Sequence, residues 1–258
     1  MVSKFSKLRA LRVFHNSLHA MKTLDLTNGY RIHYMLKERS NAFIVEASDQ
    51  LYVIDSGRNS DIKTVLKSLL NLQSESGKTA HWLILTHTHY DHSGGAAELK
   101  KELGLKVVVG KPEVRFLKHG FTPLPEGTNI LTDWVSDLGR QMSGKGFEYT
   151  PVRANKSLSH EWEVDPAIRV IMTPGHTKGS VSIVVNDEVA IVGDTLSGLD
   201  QSHIMPPYAD DINDLLGSWG KLLATPCHSF LPGHGNVIKR VDLELEYNKF
   251  VSFKAEKD

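Results

Sequence analysis

The sequence is poor in three features that each mark a class of protein: cysteine, net charge and long apolar runs. Cys227 is the only cysteine among 258 residues, so no intramolecular disulfide can form and a cytoplasmic location is expected. Lysine plus arginine and aspartate plus glutamate each number 30, which argues against a general nucleic-acid binder. No apolar run is long enough to cross a membrane, so no transmembrane segment is expected. The expected partner is a small-molecule substrate.

Histidine and aspartate, by contrast, are crowded into one short stretch. The segment 86–92 reads THTHYDH and contains four strong metal ligands: His87, His89, Asp91 and His92. The apolar run before it, 82–85, predicts a buried strand, and the Ser-Gly-Gly after it predicts a turn that opens a helix. Clustered imidazoles and a carboxylate favour a divalent transition metal, whereas the alternative is a solvated histidine-rich loop.

An apolar strand that ends in a turn carrying a metal ligand recurs three more times. The runs 170–172, 189–192 and 229–231 lead into the turns TPGH, GDT and PGHG. These turns supply His176, Asp194 and His234. Core packing and turn chemistry do not readily explain three such recurrences, so the sequence predicts a metal centre built at strand ends.

The order of HxHxDH, TPGHT, GDT and PGHG resembles the metallo-β-lactamase superfamily of binuclear hydrolases. The resemblance implies a four-layer α/β/β/α sandwich, whereas periodicity alone supports only a mixed α/β domain. It also implies two divalent metal ions, with zinc expected first and iron or manganese as alternatives. It assigns three ligands to each ion and a bridging carboxylate to both: His87, His89 and His176; Asp91, His92 and His234; and Asp194.

Three further residues are expected to serve the site without binding metal. The motif VIDSG at 53–57 resembles an early family motif whose aspartate supports the ligands from behind, which gives Asp55 that role. The alternative is an ordinary turn aspartate before glycine. His203 and Tyr208 follow the bridging carboxylate on an apparent loop and are the expected substrate contacts, with plain surface positions as the alternative.

The chemistry that the resemblance implies is hydrolysis of a small ester, thioester or lactone by a hydroxide bridging the two metals. Asp91 or Asp194 is expected to accept a proton as the intermediate collapses. Residues 173–180 and 193–196 are most similar to glyoxalase II and its thioesterase relatives, and quorum-quenching lactonases resemble the chain in ligand set. The carboxylate of Asp194 argues against a true β-lactamase. The alternatives are a phosphodiesterase with the same metal pair and a non-catalytic metal-binding sensor.

The expected organisation is a basic amphipathic extension over residues 1–20 and one hydrolase domain over residues 21–258. Apolar residues recur in the extension at near-helical spacing with lysine and arginine between them. Such a helix suits a targeting signal, or docking on its own domain, on a partner subunit in a homodimer or on a membrane surface. Four aromatic residues of the middle segment either grip substrate or pack a subdomain: Phe121, Trp134, Phe147 and Tyr149.

Overall fold

A computed structural model describes residues 21–36, 40–128, 146–200 and 203–255 of the chain. The expected N-terminal extension and Trp134 lie outside these residues, and the domain boundary at residue 21 stays a prediction. Within the described residues, no helix combines the length and the apolar character that crossing a bilayer requires.

The described strands form two sheets. The first sheet runs in the order β1-β2-β3-β4-β5-β6-β7 and the second in the order β13-β12-β11-β10-β9-β8. The strands of the first sheet are β1 (Thr23–Asp25), β2 (Arg31–Leu36), β3 (Ala42–Glu46), β4 (Gln50–Ile54), β5 (Thr79–Ile84), β6 (Lys106–Gly110) and β7 (Lys156–Leu158). Those of the second are β8 (Trp162–Asp165), β9 (Ile168–Met172), β10 (Val181–Val185), β11 (Val189–Gly193), β12 (Ser229–Pro232) and β13 (Ile238–Lys239).

Helices connect the parallel strand pairs, because parallel neighbours need a crossover and cannot be joined by a tight hairpin. β4, β5, β6 and β7 pair in parallel in the first sheet, as β11 and β12 do in the second. The described α-helices are α1 (Ile62–Ser76), α2 (Tyr90–Ser93), α3 (Ala96–Leu103), α4 (Val114–His119), α5 (Ile212–Ala224) and α6 (Arg240–Ala255). All but α6 lie between parallel partners along the chain.

Three buried apolar clusters separate four layers. Successive residues of β4 point to opposite faces: Tyr52 and Ile54 pack against the second sheet, and Val53 packs against α1 and α3. On the far side, the other face of the second sheet packs against α5 and α6, with the fully buried Trp219 of α5 in that cluster. The order helix, sheet, sheet, helix confirms the α/β/β/α sandwich that the resemblance implied.

The long apolar and amphipathic segments fall close to their expected positions. The apolar runs 42–46 and 181–185 predict strands in the sequence and form β3 and β10 with those bounds. The pattern near 61–71 predicts a helix and forms α1, which continues for one further turn. Of the aromatic residues in the middle segment, Tyr149 is buried beside α4, and the ring of Phe147 lies 5.1 Å from that of Tyr90. These two therefore pack the fold. Cys227 is fully buried in the cluster under α5.

The start of α5 is tied to the turn that follows β9. Asp211 caps the helix, because its Oδ1 accepts the N–H groups of Asn213 at 2.7 Å and Asp214 at 3.0 Å, and its own N–H donates to the Gly175 carbonyl at 3.0 Å. Gly175 has a φ of 134°, and a Cβ there would lie 2.3 Å from the backbone of Leu215. Only glycine fits this approach between turn and helix.

Asp211→Ala is expected to lower the free energy of unfolding by about 1 kcal/mol, because two helix N–H groups lose their acceptor. Asp211→Ser keeps an acceptor oxygen at the cap and should retain most of the stability. Urea denaturation of the two variants beside the wild type measures the difference. Equal stability of Asp211→Ala and wild type would show that the cap contributes nothing.

Candidate metal centre

Four strand-end loops of the sandwich meet at one edge of the two sheets. The loop after β5 enters the one-turn helix α2, where Ser93 Oγ donates to the carbonyls of Thr88 at 3.1 Å and His89 at 2.9 Å. The carbonyl of Thr86 accepts from Val181 N at 2.8 Å, which connects this loop to the second sheet. The loops after β9, β11 and β12 supply the remaining expected ligands.

The seven expected metal ligands lie together in three overlapping groups. Within each group the candidate ligand atoms lie within 4.8 Å of one another. The groups are His87, His89 and His176; His87, His92 and Asp194; and Asp91, His92 and His234. Because His87 and His92 each belong to two groups, the three groups form one continuous cluster.

Asp194 occupies the middle of the cluster. Its Oδ2 lies 3.6 Å from His176 Nε2 and 3.4 Å from His234 Nε2, and its Oδ1 lies 3.4 Å from His92 Nε2. The side chain is 13% exposed, whereas His234 is 23% exposed and the His92 side chain is fully buried. The cluster therefore opens to solvent beside His234 and Asp194.

Backbone carbonyls fix two of the three imidazoles of the first group from outside. His89 Nε2 donates to the carbonyl of Pro123 at 3.3 Å, and His176 Nδ1 donates to that of Tyr208 at 2.8 Å. In the neutral tautomers that these two bonds select, the inward nitrogens, His89 Nδ1 and His176 Nε2, carry lone pairs, and they lie 3.0 Å apart. Two facing lone pairs repel one another unless a cation lies between them, so this geometry fits a metal ion.

Asp55 fixes two more imidazoles, one directly and one through Thr86. Its Oδ2 accepts from His92 Nδ1 at 2.9 Å and from the Thr86 hydroxyl at 2.8 Å, and its Oδ1 accepts from Thr86 N at 2.7 Å. The Thr86 hydroxyl oxygen in turn accepts from His87 Nδ1 at 3.1 Å. Both histidines thus present Nε2 to the cluster, in the tautomer that binds a metal.

Charge is distributed unevenly over the cluster. Burial lowers the pKa of His87 and of His89 well below its usual value, so both imidazoles are neutral. Burial also lowers the pKa of His92, but the charges of Asp194 and Asp55 outweigh it and hold that pKa well above its usual value. Burial raises the pKa of Asp194, but neighbouring imidazolium charges hold it well below its usual value. Without metal, imidazolium charge thus compensates the carboxylate, and bound cations would take the place of that charge.

The free lone pair of Asp194 and the glycine that packs against it also fit a metal site. Asp194 Oδ1 is buried and has no hydrogen-bond partner among the described residues, which leaves a lone pair for a cation. A Cβ on Gly233 would lie 2.2 Å from that oxygen and 2.5 Å from His92 Cε1, so glycine is required there. The loop of Gly233 is anchored by Asn41, whose N–H donates to the Gly233 carbonyl at 2.6 Å.

The two expected substrate contacts lie in different surroundings. Tyr208 borders the cluster, since its carbonyl holds His176 and its backbone pairs with Gly127. His203 has a side chain that is 56% exposed and lies 3.4 Å from Glu246 of α6. Sequence reasoning did not find Thr86, Asn41 or the carbonyl of Pro123. Only the position of Thr86 directly before the HxH pair gave a hint of its role.

Comparison with known proteins gives a consistent picture. A family model described as the metallo-beta-lactamase superfamily matches residues 37–234. The Beta-lactamase-like protein 2 homolog of Drosophila melanogaster is 25% identical over 213 residues, 83% of this chain and 64% of that protein. The Probable metallo-hydrolase YqgX of Bacillus subtilis is 27% identical over 207 residues, 76% of this chain and 85% of that protein. A Hydroxyacylglutathione hydrolase of Shewanella pealeana is 26% identical over 175 residues, 68% of this chain and 52% of that protein.

Further similarities extend to longer proteins and to solved structures. Two fungal relatives are named as thioesterases, and the alignments cover 56% and 50% of their lengths. The chain thus spans between half and two thirds of several curated relatives that it matches. The BLEG-1 B3 metallo-beta-lactamase has a TM-score of 0.62 at 21% identity, over 85% of this chain and 98% of that one. A protein solved in a di-iron-bound form has a TM-score of 0.57 at 24% identity, over 82% and 94%.

Thr86→Val is expected to weaken Zn²⁺ binding roughly 10-fold, because the variant keeps the shape of the side chain but breaks the link from Asp55 to His87. Competition with a chromogenic chelator measures the affinity. Thr225→Val is the matched control, since that hydroxyl donates to the Leu222 carbonyl at 2.6 Å at the end of α5. An unchanged affinity in Thr86→Val would mean that the hydroxyl does not orient His87.

Proposed function

The chain belongs to the metallo-beta-lactamase superfamily, and from this membership we propose that it is a binuclear metal-dependent hydrolase of small esters, thioesters or lactones. The observation that carries the proposal is the geometry of Asp194, which lies within 3.6 Å of imidazole nitrogens from both sides of the cluster. A carboxylate in that position would offer its oxygens to both ions. A structural site for a single ion needs only about four ligands, whereas seven candidate ligands converge here.

The proposed ligand assignment follows the overlapping groups. His87, His89 and His176 would hold the first ion, and a second set would hold the other ion: Asp91, His92 and His234. Asp194 would serve both. Zinc is the expected metal for this nitrogen-rich set, and iron or manganese would also be accepted.

Two bound divalent ions would supply a nucleophile by lowering the pKa of a shared water, and an electrophile by polarising the bond to be cleaved. The residues of the chain hold the imidazoles in the metal-binding tautomer through Asp55, Thr86 and two backbone carbonyls. Asp194 stays ionised, because its pKa is held well below its usual value, which keeps its carboxylate available as a ligand but makes it a weak base. It is the first of two proposed proton acceptors. Asp91, with Oδ2 3.4 Å from His234 Nε2, is the second proposed acceptor.

A joined pair of loops supports Tyr208 as a substrate contact. Thr128 N donates to the Pro207 carbonyl at 3.0 Å, and Ala209 N donates to the Glu126 carbonyl at 2.9 Å. The two segments, 121–128 and 206–209, thereby form one wall that reaches His89 through Pro123 and His176 through Tyr208. A substrate bound beside this wall would meet Tyr208. His203 stays a proposed contact, and its position beside Glu246 gives it less support.

Among the possible bonds, we favour a thioester. Two relatives are named thioesterases and others hydroxyacylglutathione hydrolases, whereas the match to a B3 metallo-beta-lactamase, at 21% identity, concerns the fold. The bridging role proposed for Asp194 distinguishes the proposed site from the one expected in a true β-lactamase. A thiolate is also a good leaving group that needs little protonation when the bond breaks.

His89→Ala and Asp194→Ala are expected to lose bound metal and hydrolysis together while the fold persists. His89→Ala removes a ligand of one ion and should retain about one metal equivalent, whereas Asp194→Ala removes the bridge and should retain less than one. Elemental analysis, circular dichroism and turnover are measured on the same samples. His81→Ala removes an exposed histidine of β5 and should change none of these quantities. Full metal content and turnover in either ligand variant would refute the assignment.

Purified protein without added metal is expected to contain about two metal equivalents and to hydrolyse acyl thioesters faster than phosphodiesters. Elemental analysis beside a panel of chromogenic esters, thioesters, lactones and phosphodiesters tests both parts. Preferential turnover of phosphodiesters would replace the proposed substrate class. Two equivalents without turnover of any member would favour a metal-binding sensor.

A further inference from the structure

Glu113 is a fully buried acid that the proposed chemistry does not use. It ends the short turn Lys111–Glu113 between β6 and α4, and its residue exposure is 0%. Glutamate is rarely buried to this extent without a cationic partner. Among the described residues, no ion pair includes Glu113; the buried Glu46, in contrast, pairs with Arg31 and Lys78 at 2.8 Å each. The burial of Glu113 therefore needs another explanation.

One carboxylate oxygen of Glu113 holds the loop between two proposed metal ligands. Oε2 accepts the backbone N–H of Thr88 at 3.1 Å and also accepts the Thr88 hydroxyl. Thr88 separates His87 from His89, so both of its neighbours belong to the first ligand group. A bond to the backbone at this point fixes the directions in which the two flanking side chains leave the loop.

The other carboxylate oxygen lies against the loop that supplies the third ligand of the same group. A Cβ on Gly179 would lie 2.7 Å from Glu113 Oε1 and 2.5 Å from Glu113 Cγ. Gly179 follows His176 by three residues in the same turn. Oε1 is buried and has no hydrogen-bond partner among the described residues, so its place is set by packing against this loop. The carboxyl group thus fills the space between the two loops of the first group.

Thr88 also connects Glu113 to the wall beside the cluster. The Thr122 hydroxyl donates to the Thr88 carbonyl at 2.6 Å and lies 3.0 Å from the Tyr149 hydroxyl. Thr122 directly precedes Pro123, whose carbonyl accepts from His89 Nε2. His89 is therefore held from two directions through one network of buried hydrogen bonds. Burial raises the pKa of Glu113, and the hydroxyls of Thr88 and Thr177 oppose this only in part.

We infer that Glu113 is a positioning residue that sets the spacing between the loop of His87 and His89 and the loop of His176, and thereby the metal affinity of that group. The inference rests on the proposed function, because it takes the three histidines as ligands of one ion. Within the described residues, Glu113 interacts with Thr88, Thr177 and Gly179 and not with the group of Asp91, His92 and His234. A purely structural role would instead lower stability and weaken both metal sites alike.

The test compares Glu113→Ala, Glu113→Gln and Thr88→Val with wild-type protein. Glu113→Ala removes both acceptors, Glu113→Gln keeps one acceptor oxygen for Thr88, and Thr88→Val removes one donor while the loop keeps its shape. Glu46→Ala is the matched control, because Glu46 is equally buried and its partners lie in the first sheet and beside it: Arg31, His33 and Lys78. Zn²⁺ is titrated against a chromogenic chelator, and exchange of the Thr88 amide hydrogen is followed in metal-free protein.

Glu113→Ala should weaken one of the two Zn²⁺ equivalents about 10-fold and leave the other unchanged, while Glu113→Gln stays within about threefold of wild type. Thr88→Val, which replaces the hydroxyl by a methyl group of similar size, should weaken the same equivalent by a smaller factor. The Thr88 amide should exchange faster in Glu113→Ala and stay protected in Glu113→Gln and Glu46→Ala.

Equal weakening of both equivalents, or an unchanged affinity in Glu113→Ala and Thr88→Val, would overturn the inference and leave the hydrolase proposal standing. Wild-type protein that binds no Zn²⁺ would refute the proposed function and, with it, the effect on metal affinity. Amide exchange in metal-free protein would still report whether Glu113 holds the loop. Unchanged exchange in Glu113→Ala would overturn that part as well.

Discussion

The carboxylate of Asp55 is the contact on which the whole cluster depends. It reaches both ligand sets from outside the cluster, through His92 directly and through Thr86 to His87. Its backbone has a φ of 59°, a left-handed conformation that disfavours most side chains, and hydrogen bonds on both sides hold it there: Asp55 N to the Ile84 carbonyl at 3.0 Å and Ser56 N to the His92 carbonyl at 2.7 Å. The strained turn therefore directs one carboxylate toward both sets of proposed metal ligands.

The sandwich makes this arrangement possible because it brings distant loops to one edge. Thr86 O accepts from Val181, and Gly193 O accepts from Gly233 at 2.7 Å, so the ligand loops are bonded to each other as well as to their strands. The close approach of Gly233 to Asp194 leaves no room for a side chain. Positions of the ligands are thus set by backbone contacts between loops, and small shifts in one loop would be transmitted to the imidazoles of another.

The sequence predicts the long strands and helices and the proposed metal ligands better than it predicts the groups that hold those ligands in place. Apolar runs such as 42–46 and 181–185 carry a clear strand pattern, and the ligand motifs use residue types that few other sites need. The edge strands β1, β7 and β13 have three residues or fewer and show no such pattern. The carbonyls of Pro123 and Tyr208 have no side-chain signature at all. Glu113 was missed because a glutamate after a strand is usually exposed, and its burial depends on Gly179, far away in the sequence.

The formal charges of the proposed ions and of the carboxylates around them bear on the kind of substrate that the centre would accept. Two divalent ions would bring four positive charges against the three carboxylates of the centre, Asp55, Asp91 and Asp194, while His87 and His89 stay neutral. The hydroxide that the two ions would share balances the remaining charge, so the loaded centre would be close to neutral. The cluster opens beside His234 and Asp194. An incoming carbonyl that develops negative charge during hydrolysis would lie at this opening, where the two ions would stabilise that charge.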